Sequence, residues 1–381
     1  MARQPKPWYR ADRDAWFVTV NGTRHNLGSN KKHAFDRFYE LMRQPQAAKV
    51  ASQSFAAIAD VFLDWVEKHR SPDTYVWYQY RIERFCQRYP DLVASEIRPF
   101  HVQQWVDSYP DFAKTSRRNY VRTVKRCMRW AKQQGYIAEN PIADMELPGG
   151  ENREVFVTSD EFDQLCGYIR DETFLQLCRV TFETGCRPQE ILRVEARHFD
   201  AKNARWILPP SEAKGKAKPR IVYLTPYALD VTHLLIERFS SGKLFRNVHD
   251  KPWTTDAVNC AFIRLQIRMG KDAIAAKGLD VRQLLADELA ASPGGPKTVK
   301  ELSDRERAKR RNVICTRFAP KYSLYALRHS WATRALQSGL DALTVAILMG
   351  HNDPSTLSRV YQHLAHNPEH LRVQAQRAVS G

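Results

Sequence analysis

The chain has 381 residues, 43% hydrophobic and 11% aromatic, enough to build cores for two or three domains of ~100–200 residues each. Lys and Arg number 59 against 42 Asp and Glu, a formal charge of +17 that points to a polyanionic partner, with nucleic acid foremost. No apolar run reaches the ~18–20 residues of a membrane helix. The first residues carry no signal-peptide stretch, and the seven cysteines (Cys86, Cys127, Cys166, Cys178, Cys186, Cys260, Cys315) form no CxxC pair. That pattern argues for free thiols in the reducing cytosol rather than zinc or disulfides, and so for a cytoplasmic protein.

Residues 1 to about 49 read as a small β-rich unit. Trp8–Arg10 and Trp16–Val20 are short strands, Asn21-Gly22 is a hairpin turn, and Thr23–Leu27 returns. Asn30 then caps a helix with Phe35, Phe38 and Leu41 on one side. Three strands alone are marginal, and the unit is basic. From Ser54 the period becomes helical. Phe55, Ile58, Phe62 and Trp65 share one face, as do Tyr75, Tyr78, Ile82 and Phe85. A third helix opens at Pro99 with Val102, Trp105 and Val106 inward.

The fourth helix, about Thr115 to Gly135, has an apolar face of Tyr120, Val124, Cys127 and Ala131. It also carries a stripe of Arg118, Arg122, Lys125, Arg129 and Lys132. No acid interleaves between Arg117 and Lys132, although like charges at i, i+4 repel by a few tenths of a kcal/mol. A solvated basic face is one reading; phosphate contact by all five is the one the repulsion favours.

Pro148 to Asn152 is a linker pattern. Beyond it, Thr158 and Glu161 form a capping box, and a helix from about Glu172 stops at Gly185, with Pro188 opening a short one. Trp206–Leu208 and Ile221–Leu224 are strand-like and flank a hairpin tip bearing Lys214, Lys216 and Lys218. Residues from about Gly270 to Arg311, including Pro293-Gly294-Gly295-Pro296, read as a charged excursion that is helical in part.

The chemistry lies in Thr184-Gly185-Cys186-Arg187, Tyr325-Ala326-Leu327-Arg328-His329, Leu348-Met349-Gly350-His351 and Val360-Tyr361. Singly each has an ordinary explanation: an Arg–Glu pair, a cap histidine, a core tyrosine flanked by Leu357 and Leu364. In this order, with the lysine hairpin between, they resemble the tyrosine recombinases, or phage-type integrases. The resemblance extends over about the whole chain and is most specific in the last part.

It implies a mainly α fold with small β elements. Residues 1–49 would be an arm-type DNA-binding domain, 50–148 a four-helix, SAM-like core-binding domain, and 154–381 an α+β catalytic domain. It implies a site-specific DNA recombinase that cuts and rejoins duplex DNA through a 3′-phosphotyrosine at Tyr361. Arg187 and Arg328 would clamp the phosphate, His351 hydrogen-bond it, Lys214 protonate the leaving oxygen and Glu190 orient Arg187, with Lys216 and Lys218 on DNA. The family usually has histidine at Tyr325; a phenol donates a hydrogen bond, but its pKa near 10 makes it a poor base at neutral pH. No metal or other cofactor is called for, because the arginines supply the charge.

The implied partners are double-stranded DNA and three further copies in a synaptic homo-tetramer, the 367–381 tail being long enough for an exchanged helix, with room for an accessory directionality factor. The arm favours integration or excision of a mobile element. A nicking–closing topoisomerase of the same chemistry and a non-catalytic DNA-binding relative are the alternatives.

Overall fold

The computed structural model describes residues 6–20, 23–43, 54–150, 156–213, 218–291 and 298–351, with Arg372 and Gln376 in helical conformation. The chain divides into two compact units, residues 1–152 and 153–381. The expected turn at Asn21-Gly22, the expected boundary near residue 49 and the Pro293–Pro296 stretch lie outside the described residues.

In the first unit, β1 (Trp8–Arg10), β2 (Ala15–Val20) and β3 (Thr23–Gly28) form an antiparallel meander in which Trp8 faces Phe17 and Trp16 faces Gly28. Helix α1 (Lys31–Arg43) is capped by Asn30, whose side-chain oxygen accepts from the amides of Lys32 and His33 at 3.0 and 3.2 Å. The small core is Val18, Leu27 and Ala34, widened by Trp16, Phe38 and Leu41.

Four helices then build a separate core: α2 (Phe55–His69), α3 (Pro72–Arg88), α4 (Pro99–Asp107) and α5 (Lys114–Gln133). Ser54 and Ser71 cap the first two, and Pro72 and Pro99 occupy first-turn positions where the missing N–H costs nothing. The residues at helical spacing are those that go inside: Phe55, Ile58 and Phe62 of α2, Ile82 and Phe85 of α3, Val102, Trp105 and Val106 of α4. Helix α5 runs through them, burying Tyr120, Val124, Cys127, Met128 and Ala131.

The second unit begins with α6 (Ser159–Tyr168), opened by the Thr158–Glu161 capping box, and α7 (Glu172–Thr184), capped by Asp171. The short α8 (Pro188–Ile191) precedes an antiparallel sheet of β4 (Phe199–Asp200), β5 (Arg205–Leu208) and β6 (Arg220–Tyr223), with Trp206 opposite Val222. The two-residue β4 has no pattern legible in sequence. Helices α9 (Pro226–Arg238), α13 (Leu324–Gln337) and α14 (Ala342–Met349) complete the frame, and α13 packs along α7.

The charged excursion is largely helical. It comprises the end of α10 (Thr255–Ala276), α11 (Val281–Ala290) and α12 (Asp304–Arg317) around a core of Ile274, Leu285, Leu289, Leu302, Ile314 and Cys315. Gly270 lets α10 and α12 meet, since a Cβ there would overlap the Cys315 carbonyl. Gly270→Ala is therefore expected to destabilise the protein by about 1–3 kcal/mol through overpacking. Thermal and urea unfolding check this; a gain in stability, as expected for Gly→Ala in an unobstructed helix, would show that the contact can relax.

Candidate active site

Helix α7 ends at Gly185, whose φ of +62° is left-handed and whose Cα lies against Trp331 of α13; a Cβ would sit 2.6 Å from the indole. Two residues on, Arg187 is the N-cap of α8. Its amide donates to Glu190 Oε2 at 2.7 Å, and its Nη1 donates to Glu190 Oε1 at 2.8 Å. Pro188 at the first helical position fixes the turn that makes this double contact possible. The second terminal amine, Nη2, reaches the carbonyl of Gly350, the residue that ends α14 with a φ of +67°.

Arg328 of α13 is 2% exposed. It donates through Nη1 to the Gly185 carbonyl at 2.6 Å and through Nη2 to the Met349 carbonyl at 2.7 Å. The two arginines therefore bind crosswise: each takes a carbonyl from the helix end beside the other. Helix C-termini carry partial negative charge, which favours cations there. Arg328 Nη2 also lies 3.3 Å from Nε2 of His351. A guanidinium has no acceptor, so Nε2 accepts, and a neutral His351 carries its proton on Nδ1. That Nδ1 is buried and has no partner among the described residues.

A third arginine, Arg220 at the start of β6, completes the cluster. Its Nε donates to the same Glu190 Oε1 at 3.1 Å. Neighbouring lysines in the hairpin hide this residue in sequence; only its place on the strand, where side chains alternate, sets it inward. Arg187, Lys218, Arg220, Tyr223, Ile347 and His351 are among the residues lining a cavity of about 460 Å³.

Electrostatics follow from this crowding. Burial pushes the Glu190 carboxyl up, but Arg220, the amide and guanidinium of Arg187, and Arg328 outweigh it and hold the pKa below its ordinary value. Burial and then Arg187 pull Arg328 down to about 10, so it stays charged at neutral pH. Burial, followed by Arg328, Arg187 and Arg220, lowers His351 to about 4. Three guanidiniums with one carboxylate and a neutral imidazole leave the cluster beside the cavity with two net positive charges, the complement of a phosphodiester or of the dianion formed when it is attacked.

Of the residues expected from sequence, Arg187, Glu190, Arg328 and His351 come together, and Lys218 joins them at the cavity wall. Tyr325 stands on the exposed side of α13, its ring edge-on to His329 at 4.6 Å, with no hydrogen bond to the arginines among the described residues. Lys214, Lys216 and Tyr361 lie outside the described residues.

The α5 stripe is not uniform. Arg118 donates to the Pro148 carbonyl at 2.8 Å, and the Lys125 ammonium donates to the carbonyls of Ala143, at 2.9 Å, and Met145. These two hold the segment after α5 against it, which relieves the repulsion expected among five neighbouring cations. Arg122, Arg129 and Lys132 are exposed, and the last two line a cavity of about 430 Å³ with Lys125.

Residues 155–312 match the Phage integrase family. Among curated proteins the chain is similar to tyrosine recombinase XerC of Halalkalibacterium halodurans, with 24% identity over 311 residues, 78% of this chain and 89% of that one. Among solved structures it resembles the Tn1549 transposon integrase in complex with a circular intermediate DNA (TM-score 0.60, 13% identity, 86% of this chain and 100% of that chain). It also resembles a lambda integrase tetramer bound to a Holliday junction (TM-score 0.56, 14% identity, 93% and 97%). In the match over residues 155–312, in these relatives and in fold, the chain is similar to the tyrosine recombinases.

The His351 environment makes a measurable prediction. A base whose folded pKa is depressed contributes stability that is complete above its unfolded value, ~6.5, and is lost as pH falls through 6.5 toward 4. NMR of the imidazole nitrogens is expected to show His351 neutral at pH 6, with the proton on Nδ1. An imidazolium at that pH would mean that the neighbouring guanidiniums are screened.

Proposed function

We propose that this protein is a site-specific DNA recombinase of the tyrosine recombinase family, that it cuts and rejoins duplex DNA through a 3′-phosphotyrosine formed by Tyr361, and that it integrates or excises a mobile element. The observation that carries the reading is the crosswise pair Arg187 and Arg328 beside a cavity with two uncompensated positive charges. Such a site favours the geometry in which charge builds on the nonbridging oxygens of a phosphate under attack. Neither arginine commits all five donors to its described partners, so each can present N–H groups to those oxygens.

In the step we infer, the Tyr361 oxygen forms a bond to the scissile phosphorus as the bond to the 5′ oxygen breaks. Tyr361 gives its proton to solvent water, and Lys214 delivers one to the leaving 5′ oxygen. The new ester replaces one of similar energy, so a 5′-hydroxyl from the same or another strand can reverse the step with no external energy source. Glu190 holds Arg187, and His351 hydrogen-bonds the phosphate. Tyr325, exposed at the surface of α13, donates its hydroxyl when DNA lies against it. Lys216 and Lys218 meet the DNA backbone.

On this reading residues 1–49 are an arm-type DNA-binding domain, 50–148 a core-binding domain and 154–381 the catalytic domain, and four copies assemble for synapsis on double-stranded DNA, with a directionality factor where excision requires it. The lambda integrase tetramer on a Holliday junction supports the stoichiometry, and the Tn1549 transposon integrase supports the mobile-element role. Seven free thiols fit action in the cytoplasm.

Covalent capture tests the chemistry. Sheared genomic DNA is incubated with the protein and quenched in detergent, and the protein-linked ends are sequenced to give the cleavage site; a nicked suicide duplex is then made from it. Wild type is expected to yield an adduct blocked at the 3′ end. Tyr361→Phe is expected to yield none while binding DNA with unchanged affinity; an adduct in that variant would reassign the nucleophile.

Binding by α5 is tested by salt dependence. Arg122→Ala with Arg129→Ala is expected to flatten the plot of log K against log salt by ~1.8, because each lost phosphate contact removes ~0.9. An unchanged slope would place that face in solvent.

A further inference from the structure

We propose that Arg220 is a positioning residue for strand cleavage: through Glu190 it sets the orientation of Arg187, and by packing against Gly350 it fixes the turn that carries His351. The inference rests on the phosphotyrosine reading above and gives a role to a residue that the reading leaves unused.

Arg220 touches both groups that hold Arg187. Its Nε and the Nη1 of Arg187 donate to one and the same oxygen, Oε1 of Glu190, at 3.1 and 2.8 Å. Its side chain also lies against the backbone of Gly350, where an added Cβ would be 2.8 Å from Cδ and Nε. Gly350 provides the carbonyl that receives Nη2 of Arg187, and His351 follows it in the chain. Both terminal amines of Arg187 are therefore anchored to groups that Arg220 contacts. Neither anchor has this connection without Arg220, because no other described side chain bonds to both the carboxylate and β6.

The arrangement has little value as a stabilising device. Arg220 is 6% exposed; its Nη1 is satisfied by the Ile221 carbonyl, yet its Nη2 is buried with no partner among the described residues. A buried guanidinium with an unpaired donor is costly, and a well-packed apolar side chain in its place is often as stable or more so. What an apolar side chain cannot do is place Glu190 Oε1. The planar guanidinium, which directs Nε toward the carboxylate and its flat side along the glycine, does so by geometry that a single ammonium lacks.

The test compares Arg220→Met and Arg220→Lys, each alone and in a Glu190→Gln background, by single-turnover adduct formation on the suicide duplex at saturating protein, with DNA affinity and melting temperature measured alongside. Arg220→Met is expected to slow adduct formation about 10- to 100-fold while affinity stays within about twofold. Arg220→Lys should fall between it and wild type. In the Glu190→Gln background the same Arg220→Met change should cost less than about threefold, because the two residues act as a unit. A wild-type rate in Arg220→Met, or an undiminished loss in the Glu190→Gln background, would overturn the proposal. If Arg220→Met does not fold, Arg220→Lys carries the comparison.

NMR of the Arg187 Nε–H group needs no DNA. It should report a single ordered environment in wild type and averaging in Arg220→Lys; an unaltered signal counts against the proposal. Should wild type form no adduct with any DNA, the phosphotyrosine reading fails, and this measurement still decides whether Arg220 orients Arg187.

Discussion

Glu190 is the one anion among three guanidiniums, and the catalytic unit is organised around that imbalance. Burying like charges together is unfavourable unless each finds opposite charge or hydrogen-bond acceptors nearby. Here the carboxylate serves Arg187 and Arg220, while the ends of α7 and α14 supply carbonyls to Arg187 and Arg328. The two glycines at those ends are needed for the left-handed turn and also for space: Gly185 admits Trp331 and Gly350 admits Arg220. Packing, backbone conformation and electrostatics at the site thus depend on one another. The remaining positive charge is what an incoming phosphate neutralises.

Much of this was legible in sequence where the signal is local. Helical periodicity placed α2 to α5, a capping box marked the start of α6, and Gly185 and Pro188 bracketed Arg187. Contacts between distant segments were not legible. Arg220 reads as one more cation after Lys214, Lys216 and Lys218, and nothing in the local pattern says that it meets a carboxylate thirty positions earlier. For the same reason the α5 stripe reads as five equivalent charges. Arg118 and Lys125 are set apart by carbonyls that reach them from the chain beyond the helix, which periodicity cannot anticipate. The strand β4 is too short to show alternation, and the excursion after α10 proved to have a small core of its own.

Tyr325 shows a different limit. Its spacing from Arg328 suggests a shared face, yet three residues on a helix leave the two about 60° apart around the axis. That is enough to expose one and bury the other. Tyr325 is open to solvent, whereas Arg328 is already committed to two carbonyls.

The crosswise carbonyl contacts join residues far apart in the chain: Arg187 with Gly350, and Arg328 with Gly185. Neither arginine has its full set of contacts until both helix ends are in place. During synthesis Arg187 emerges from the ribosome long before α14, and a chain cut short ahead of Gly350 would leave Arg187 with Glu190 alone and Arg328 with the Gly185 carbonyl alone. Dependence on distant contacts, which slows folding, thereby ties the finished site to a nearly complete unit.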